Sequence, residues 1–92
     1  MIQLRPEVQK FAEAMELKLR KNDHKGGWKK CKAADMFYRA SKEFREADEE
    51  LALFLCEGHK DPQRALGELA DTANFLMMVA DIIGGLRLEH DA

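Results

Sequence analysis

The chain reads as all-α: one domain over residues 1–92, built from three main helices of which the last two form an antiparallel hairpin. Three observations predict this. Apolar residues recur at helical spacing in three separate stretches, and the breaks between them carry proline, glycine and aspartate, the residues that start and stop helices. The composition, 46% hydrophobic and 35% charged with only six glycines and two prolines, is that of a compact helical chain.

The first helix starts at Arg5-Pro6-Glu7. Proline at the first helical position loses no needed donor, and the acid favours the amino end of the helix dipole. Val8, Phe11, Ala12, Met15, Leu17 and Leu19 carry its stripe as far as about Arg20. Asn22-Asp23-His24-Lys25-Gly26-Gly27-Trp28 then reads as a loop. Asp35 is the expected cap of a second helix that runs to about Cys56 with the stripe Phe37, Ala40, Phe44, Ala47, Leu51 and Leu55. Glu57-Gly58-His59-Lys60 reads as a turn, Asp61-Pro62 as the cap and first-turn proline of helix three, and Gly84-Gly85 as its stop.

Helix three holds the most informative pattern. With Glu68 set at zero on a 100° wheel, Ala65, Leu69, Ala73, Leu76, Ala80 and Ile83 form a core stripe between about 60° and 140°. Val79, Phe75, Ile82 and Met78 extend the apolar sector on the other side to roughly 260° of arc, and Glu68 and Asp71 lie inside it. A carboxylate in an apolar sector is costly unless it is paired or bound to a metal, and two of them one turn apart repel. Something positive should lie between them: a lysine or arginine at the rim, or a metal ion, at which this spacing aims two oxygen ligands. An arc this wide also exceeds what two short helices can cover, which predicts association with further copies, as a dimer at least.

Helix two supplies a counterpart. Glu43, Glu46 and Glu50 align along one edge of its stripe, within reach of i, i+4 pairing from Arg39 and Lys42. Simple hairpin register brings Glu50 closest to Glu68 and Asp71. Glu43 and Glu46 are out of register by about three residues, or ~5 Å at helical rise, a gap that helix offset and side-chain length can close. Convergence of Glu43, Glu46, Glu68 and Asp71 then makes an oxygen-only site for Mg²⁺ or Mn²⁺. A di-iron bundle would need Glu-x-x-His pairs, whose spacing His24, His59 and His90 do not follow.

The surroundings of the cluster narrow its use. Seven basic residues against one acid lie between Lys18 and Lys32, whereas Glu43 to Glu50 holds five acids in eight positions. Lys25, Gly26, Gly27 and Trp28 can offer phosphate donors and an aromatic plate for a base, or simply a packing anchor beside a solvated surface. The adjacent acid-rich helix argues against a continuous nucleic-acid face, and the net charge is −2. Cys31 and Cys56 do not make a disulfide framework and suit a reducing compartment. With no apolar leader and no run of membrane-spanning length, the expected location is cytoplasmic, with no membrane partner. A lysine-rich loop beside a divalent-ion site implies metal-assisted attack of water on phosphorus.

Glu43-x-x-Glu46 followed, after twenty-one residues, by Glu68-x-x-Asp71 resembles the paired motifs of the MazG-like all-α nucleoside triphosphate pyrophosphohydrolases. Asn22 to Trp28 and Ala70-Asp71-Thr72-Ala73-Asn74-Phe75-Leu76-Met77-Met78 are similar to the small phage and prophage branch, and the likeness runs from Arg5 to Ile83. It departs at Phe44-Arg45-Glu46-Ala47, where relatives more often have small or aliphatic residues and a leucine after the second glutamate.

The resemblance implies four-helix-bundle units formed by a homodimer or homotetramer, and hydrolysis of a nucleoside or deoxynucleoside triphosphate to monophosphate and pyrophosphate. It implies Glu43, Glu46, Glu68 and Asp71 as Mg²⁺ ligands, with Glu43 or Glu46 orienting or deprotonating the water. It also implies Lys25, Trp28 and Asn74 as substrate contacts. The alternative is a non-catalytic helical adaptor that uses its acidic edge to bind a basic partner.

Overall fold

The computed structural model describes residues 2–56, 58 and 61–86. Three α-helices account for most of them: α1 (Pro6–Lys21), α2 (Ala33–Cys56) and α3 (Pro62–Ile82), with one 3₁₀ turn at Asp23–Lys25 and no strand among the described residues. Each boundary has a local cause. Pro6 opens α1 and Pro62 opens α3, where the Asp61 carboxylate accepts a hydrogen bond from the Gln63 N–H at 2.9 Å. At the other end of α3, Gly84 takes φ 84° and the Gly85 N–H donates back to the Ala80 carbonyl at 2.8 Å, closing the last turn.

Asp35 is not the cap of α2. The helix begins two residues earlier, with the Met36 N–H donating to the Lys32 carbonyl at 3.1 Å, so that Asp35 sits in the first turn and acts on the helix dipole alone. Of the turn expected at Glu57-Gly58-His59-Lys60 only Gly58 is described, with φ 72°. His59 and His90 lie outside the described residues, and His24 is exposed in the 3₁₀ turn.

The central element is α3, which packs on α2 along one side and on α1 along another, while α1 and α2 make no backbone approach to each other. This leaves a cleft between α1 and α2 with α3 as its floor. The packing also explains how α3 can sit at the centre while carrying Glu68 and Asp71. Ala65 and Ala70, both buried, let α2 approach closely, and Gly67 admits Lys18: a Cβ there would stand 3.3 Å from Lys18 Cε.

The core is small. Its buried apolar residues are Met36, Ala40, Ala47, Ala65 and Ala70, and no large side chain is fully buried among the described residues. The stripe expected on α2 is accordingly right at two of its six positions: Ala40 and Ala47 are inside, but Phe37, Phe44, Leu51 and Leu55 are exposed. On α3, Leu69, Leu76 and Ile83 of the expected core stripe are exposed too, and on α1 Val8 and Leu17. The inward edge of α2 is instead Met36, Ala40, Glu43, Ala47 and Glu50, shifted by about one residue from the aromatic ridge. The radius of gyration, 14.7 Å, exceeds the ~12 Å of a compact chain of this length. Among the described residues no helix is long and apolar enough to cross a membrane.

Candidate metal centre

Three of the four predicted acids converge. One carboxylate oxygen each from Glu43, Glu68 and Asp71 lies within 4.8 Å of the others, all three side chains half-buried. Glu68 and Asp71 are one turn apart on α3, and Glu43 reaches them from α2, the register that hairpin counting alone disfavours. Glu50, the residue that counting favours, is drawn away by Arg64, whose guanidinium donates to it at 3.0 Å. Glu46 is exposed, lies beside Glu43 on the wall of the cleft, and stands outside the group of three.

The electrostatics are those of crowded like charges. The Glu43 carboxyl is pushed up from 4.5 to about 7, first by burial, then by repulsion from and hydrogen bonding with Glu46, then by Asp71 and Glu68. The Glu68 carboxyl is also raised, by burial first and then by Asp71 and Glu46, with Lys18 pulling the other way. Its Oε2 is buried and has no hydrogen-bond partner. Lys18 is the cation that motif reading missed: its Nζ stands 3.3 Å from Asp71 Oδ2. The lone glycine at position 67, a turn residue inside a strong helix pattern beside the acids, was the available sign that something approaches there.

Asp71 therefore has a lysine, and Glu68 has none. This meets the expectation of a positive group between the acids only in part, because a single half-exposed ion pair is worth at most about 1 kcal/mol and leaves one buried oxygen unpaired. A divalent ion fits the remainder. Around an ion with bonds of ~2.1–2.4 Å, oxygens lie about 3–4.8 Å apart, and the donor set is oxygen-only. Glu43, Glu68 and Asp71 could hold such an ion with little movement.

The cleft around them has a volume of about 760 Å³ and carries both signs of charge. Four carboxylates, Glu43, Glu46, Glu68 and Asp71, and five cations, Lys18, Lys21, Lys25, Arg39 and Lys42, border it. Among the described residues Arg39 and Lys42 make no ion pair with the glutamates, and Lys42 lies 5.6 Å over the Tyr38 ring. Lys25 is exposed on the loop wall. Trp28 borders the cleft with its indole N–H engaged by Asp81 Oδ2 at 2.8 Å. Asn74, 4% exposed, donates from Nδ2 to the Met15 carbonyl at 3.0 Å and so ties α3 to α1. Its Oδ1 is buried without a partner at the cleft boundary. Cys31, free and half-buried, also borders the cleft, and Cys56 is exposed.

Set against known proteins, the chain matches no family model, no curated protein and no solved structure.

Proposed function

We propose that this chain is a Mg²⁺-dependent nucleoside triphosphate pyrophosphohydrolase, with Mn²⁺ as the alternative ion and either ribo- or deoxyribonucleotides as substrate. The observation that carries the reading is the meeting of Glu43, Glu68 and Asp71 within 4.8 Å in a cleft that also bears five cations. A metal–polyphosphate complex is complementary to both halves, the ion to the carboxylates and the phosphate oxygens to the lysines. The resemblance of the two acidic pairs to MazG-like enzymes supports the same reading.

When bound, the ion supplies charge neutralisation at the α-phosphate and at the departing pyrophosphate. The chain's own groups do the rest. Glu43 or Glu46, neighbours on α2 at the cleft wall, would orient the attacking water or take its proton. The water oxygen bonds to the α-phosphorus, the α–β bridging P–O bond breaks, and pyrophosphate leaves. Glu46, beside Glu43 at the cleft wall, would join the ligands when the ion draws the cluster together. Lys25 and the faces of Trp28 and Asn74 that border the cleft would meet phosphate, base and sugar.

The functional unit is proposed to be a homodimer or homotetramer in the cytoplasm. Phe37, Phe44, Leu51 and Leu55 on α2 and Leu69, Leu76 and Ile83 on α3 make exposed apolar ridges. Phe44 and Leu76 line a shallow groove of about 190 Å³ that shares no residue with the cleft. A second copy laid on these ridges would pair two α2–α3 hairpins into a four-helix bundle and supply the large buried side chains that one copy lacks.

A panel of NTPs and dNTPs with Mg²⁺, read for pyrophosphate and orthophosphate, tests the activity. Pyrophosphate with the monophosphate is expected. Orthophosphate as the direct product, or no turnover with any nucleotide, rejects it. The adaptor reading draws on the Lys18–Asp71 pair, which already gives one acid a counter-charge. It requires that Mg²⁺ and Mn²⁺ leave thermal stability unchanged.

A further inference from the structure

The loop between α1 and α2 forms one wall of the cleft through Lys25, Gly26, Gly27, Trp28 and Cys31. Its backbone hydrogen bonds are local: Lys25 N–H to the Asn22 carbonyl, Gly26 N–H to Asp23 and Cys31 N–H to Trp28. Gly26 turns the chain with φ 88°, and a Cβ at Gly26 or Gly27 would meet nothing within 4 Å, so neither glycine is packed against the body. Among the described residues, the polar tether from this loop to α3 is a single carboxylate oxygen. Asp81 Oδ2 accepts from Trp28 Nε1 at 2.8 Å and from Lys29 Nζ at 2.6 Å, across 53 and 52 positions of sequence. Lys29 Nζ also stands 5.6 Å from the centroid of the Trp28 ring, so donor, cation and acceptor form one closed triad.

Asp81 is ten residues beyond Asp71 on α3, about 15 Å along the helix, and is not among the residues that border the cleft. It acts on that site only through the loop. We propose that Asp81 is a positioning residue: by docking Trp28 and Lys29 it holds the Lys25–Trp28 wall opposite Glu43, Glu68 and Asp71, and so sets the affinity for the phosphate-bearing substrate. The inference rests on the hydrolase reading for its kinetic half. α3 then carries both the floor of the cleft and the anchor of its facing wall, so a single helix fixes the distance between them. The Asp81 carboxyl is held below its ordinary 3.8 by Lys29 first and by Trp28 second, so the tether persists throughout the neutral range.

Trp28 is the only tryptophan, which makes the docking directly readable. Asp81→Ala is expected to shift Trp28 emission to the red in the metal-free, nucleotide-free chain, a measurement independent of what the chain hydrolyses. With Mg²⁺ and nucleotide, it is expected to raise KM about tenfold or more while kcat stays within about threefold. Asp81→Asn, which can still accept from the indole but has lost its charge, should fall between Asp81→Ala and the native chain in both readings. Lys29→Met tests the second arm without touching α3, and Lys29→Met combined with Asp81→Ala should be no worse than Asp81→Ala alone. Unchanged emission in Asp81→Ala overturns the docking. A red shift with native KM, or a loss confined to kcat, overturns the positioning role. A native chain that turns over no nucleotide overturns the hydrolase instead, and the emission shift still decides whether Asp81 holds the loop.

Discussion

Replacing Glu68 by glutamine should make the metal-free chain more stable and the metal-loaded chain less so. Glu68 shares a space of 4.8 Å with Glu43 and Asp71. Two unit charges at that distance repel by about 1 kcal/mol in water and about 3.5 kcal/mol at an effective dielectric of 20. Lys18 offsets part of this, and the site is open to solvent, so the net gain from Glu68→Gln at pH 8 is about 1–2 kcal/mol, with Tm rising about 4–8 °C for each kcal/mol. Mg²⁺ at ten times its Kd stabilises the native chain by about 1.4 kcal/mol, and the variant, with one ligand charge gone, should gain little. Scanning fluorimetry with and without 10 mM Mg²⁺, backed by calorimetry, follows both effects. The reasoning fails if Glu68→Gln lowers the metal-free Tm, or if the variant responds to Mg²⁺ as fully as the native chain.

Three further outcomes are expected. Because Glu43 is raised from 4.5 to about 7, its contribution to metal-free stability is complete below pH 4.5 and lost as pH rises through about 7. At face value this is about 3 kcal/mol, and water at the cleft wall screens it to about 1–2 kcal/mol, so the Mg²⁺-induced thermal shift should grow across that interval. Lys18→Met removes the cation that competes at Asp71 and should tighten Mn²⁺ binding several-fold by calorimetry while destabilising the metal-free chain by no more than about 1 kcal/mol. Light scattering should give at least a dimer at micromolar concentration, and Phe44→Glu should split it and lower Tm by several degrees. An exposed phenylalanine on a monomer would tolerate that change within about 0.5 kcal/mol.

Helix number, order and two of the three helix starts were legible because they depend on local chemistry. Pro6, Asp61-Pro62 and Gly84 act on their own turns, whatever packs above them. Asp35 misled because an acid in the first turn and an acid at the cap look alike in sequence, and the choice between them depends on where the preceding loop releases the chain. The stripes of α2 and α3 were legible as apolar but not as to what covers them, since periodicity does not distinguish a face turned to α3 from one left open, as Phe44 and Leu76 are. At the cluster, the residue types and spacing pointed to Glu43, Glu46, Glu68 and Asp71, of which Glu43, Glu68 and Asp71 meet and Glu46 stands outside. The ion pairs Glu50–Arg64 and Lys18–Asp71, which select among the acids, arise from tertiary contact and carry no local signal beyond Gly67. The Trp28 indole turns toward Asp81, 53 positions away in sequence, a pairing that also arises from tertiary contact.

The most direct test of a metal centre at Glu43, Glu68 and Asp71 is an anomalous-difference map from crystals grown with Mn²⁺ and measured at the manganese edge. The account predicts a peak between those three carboxylates, with oxygens at ~2.0–2.3 Å and Lys18 moved off Asp71. A map with no peak there at saturating Mn²⁺, and with Lys18 still seated on Asp71, would contradict it.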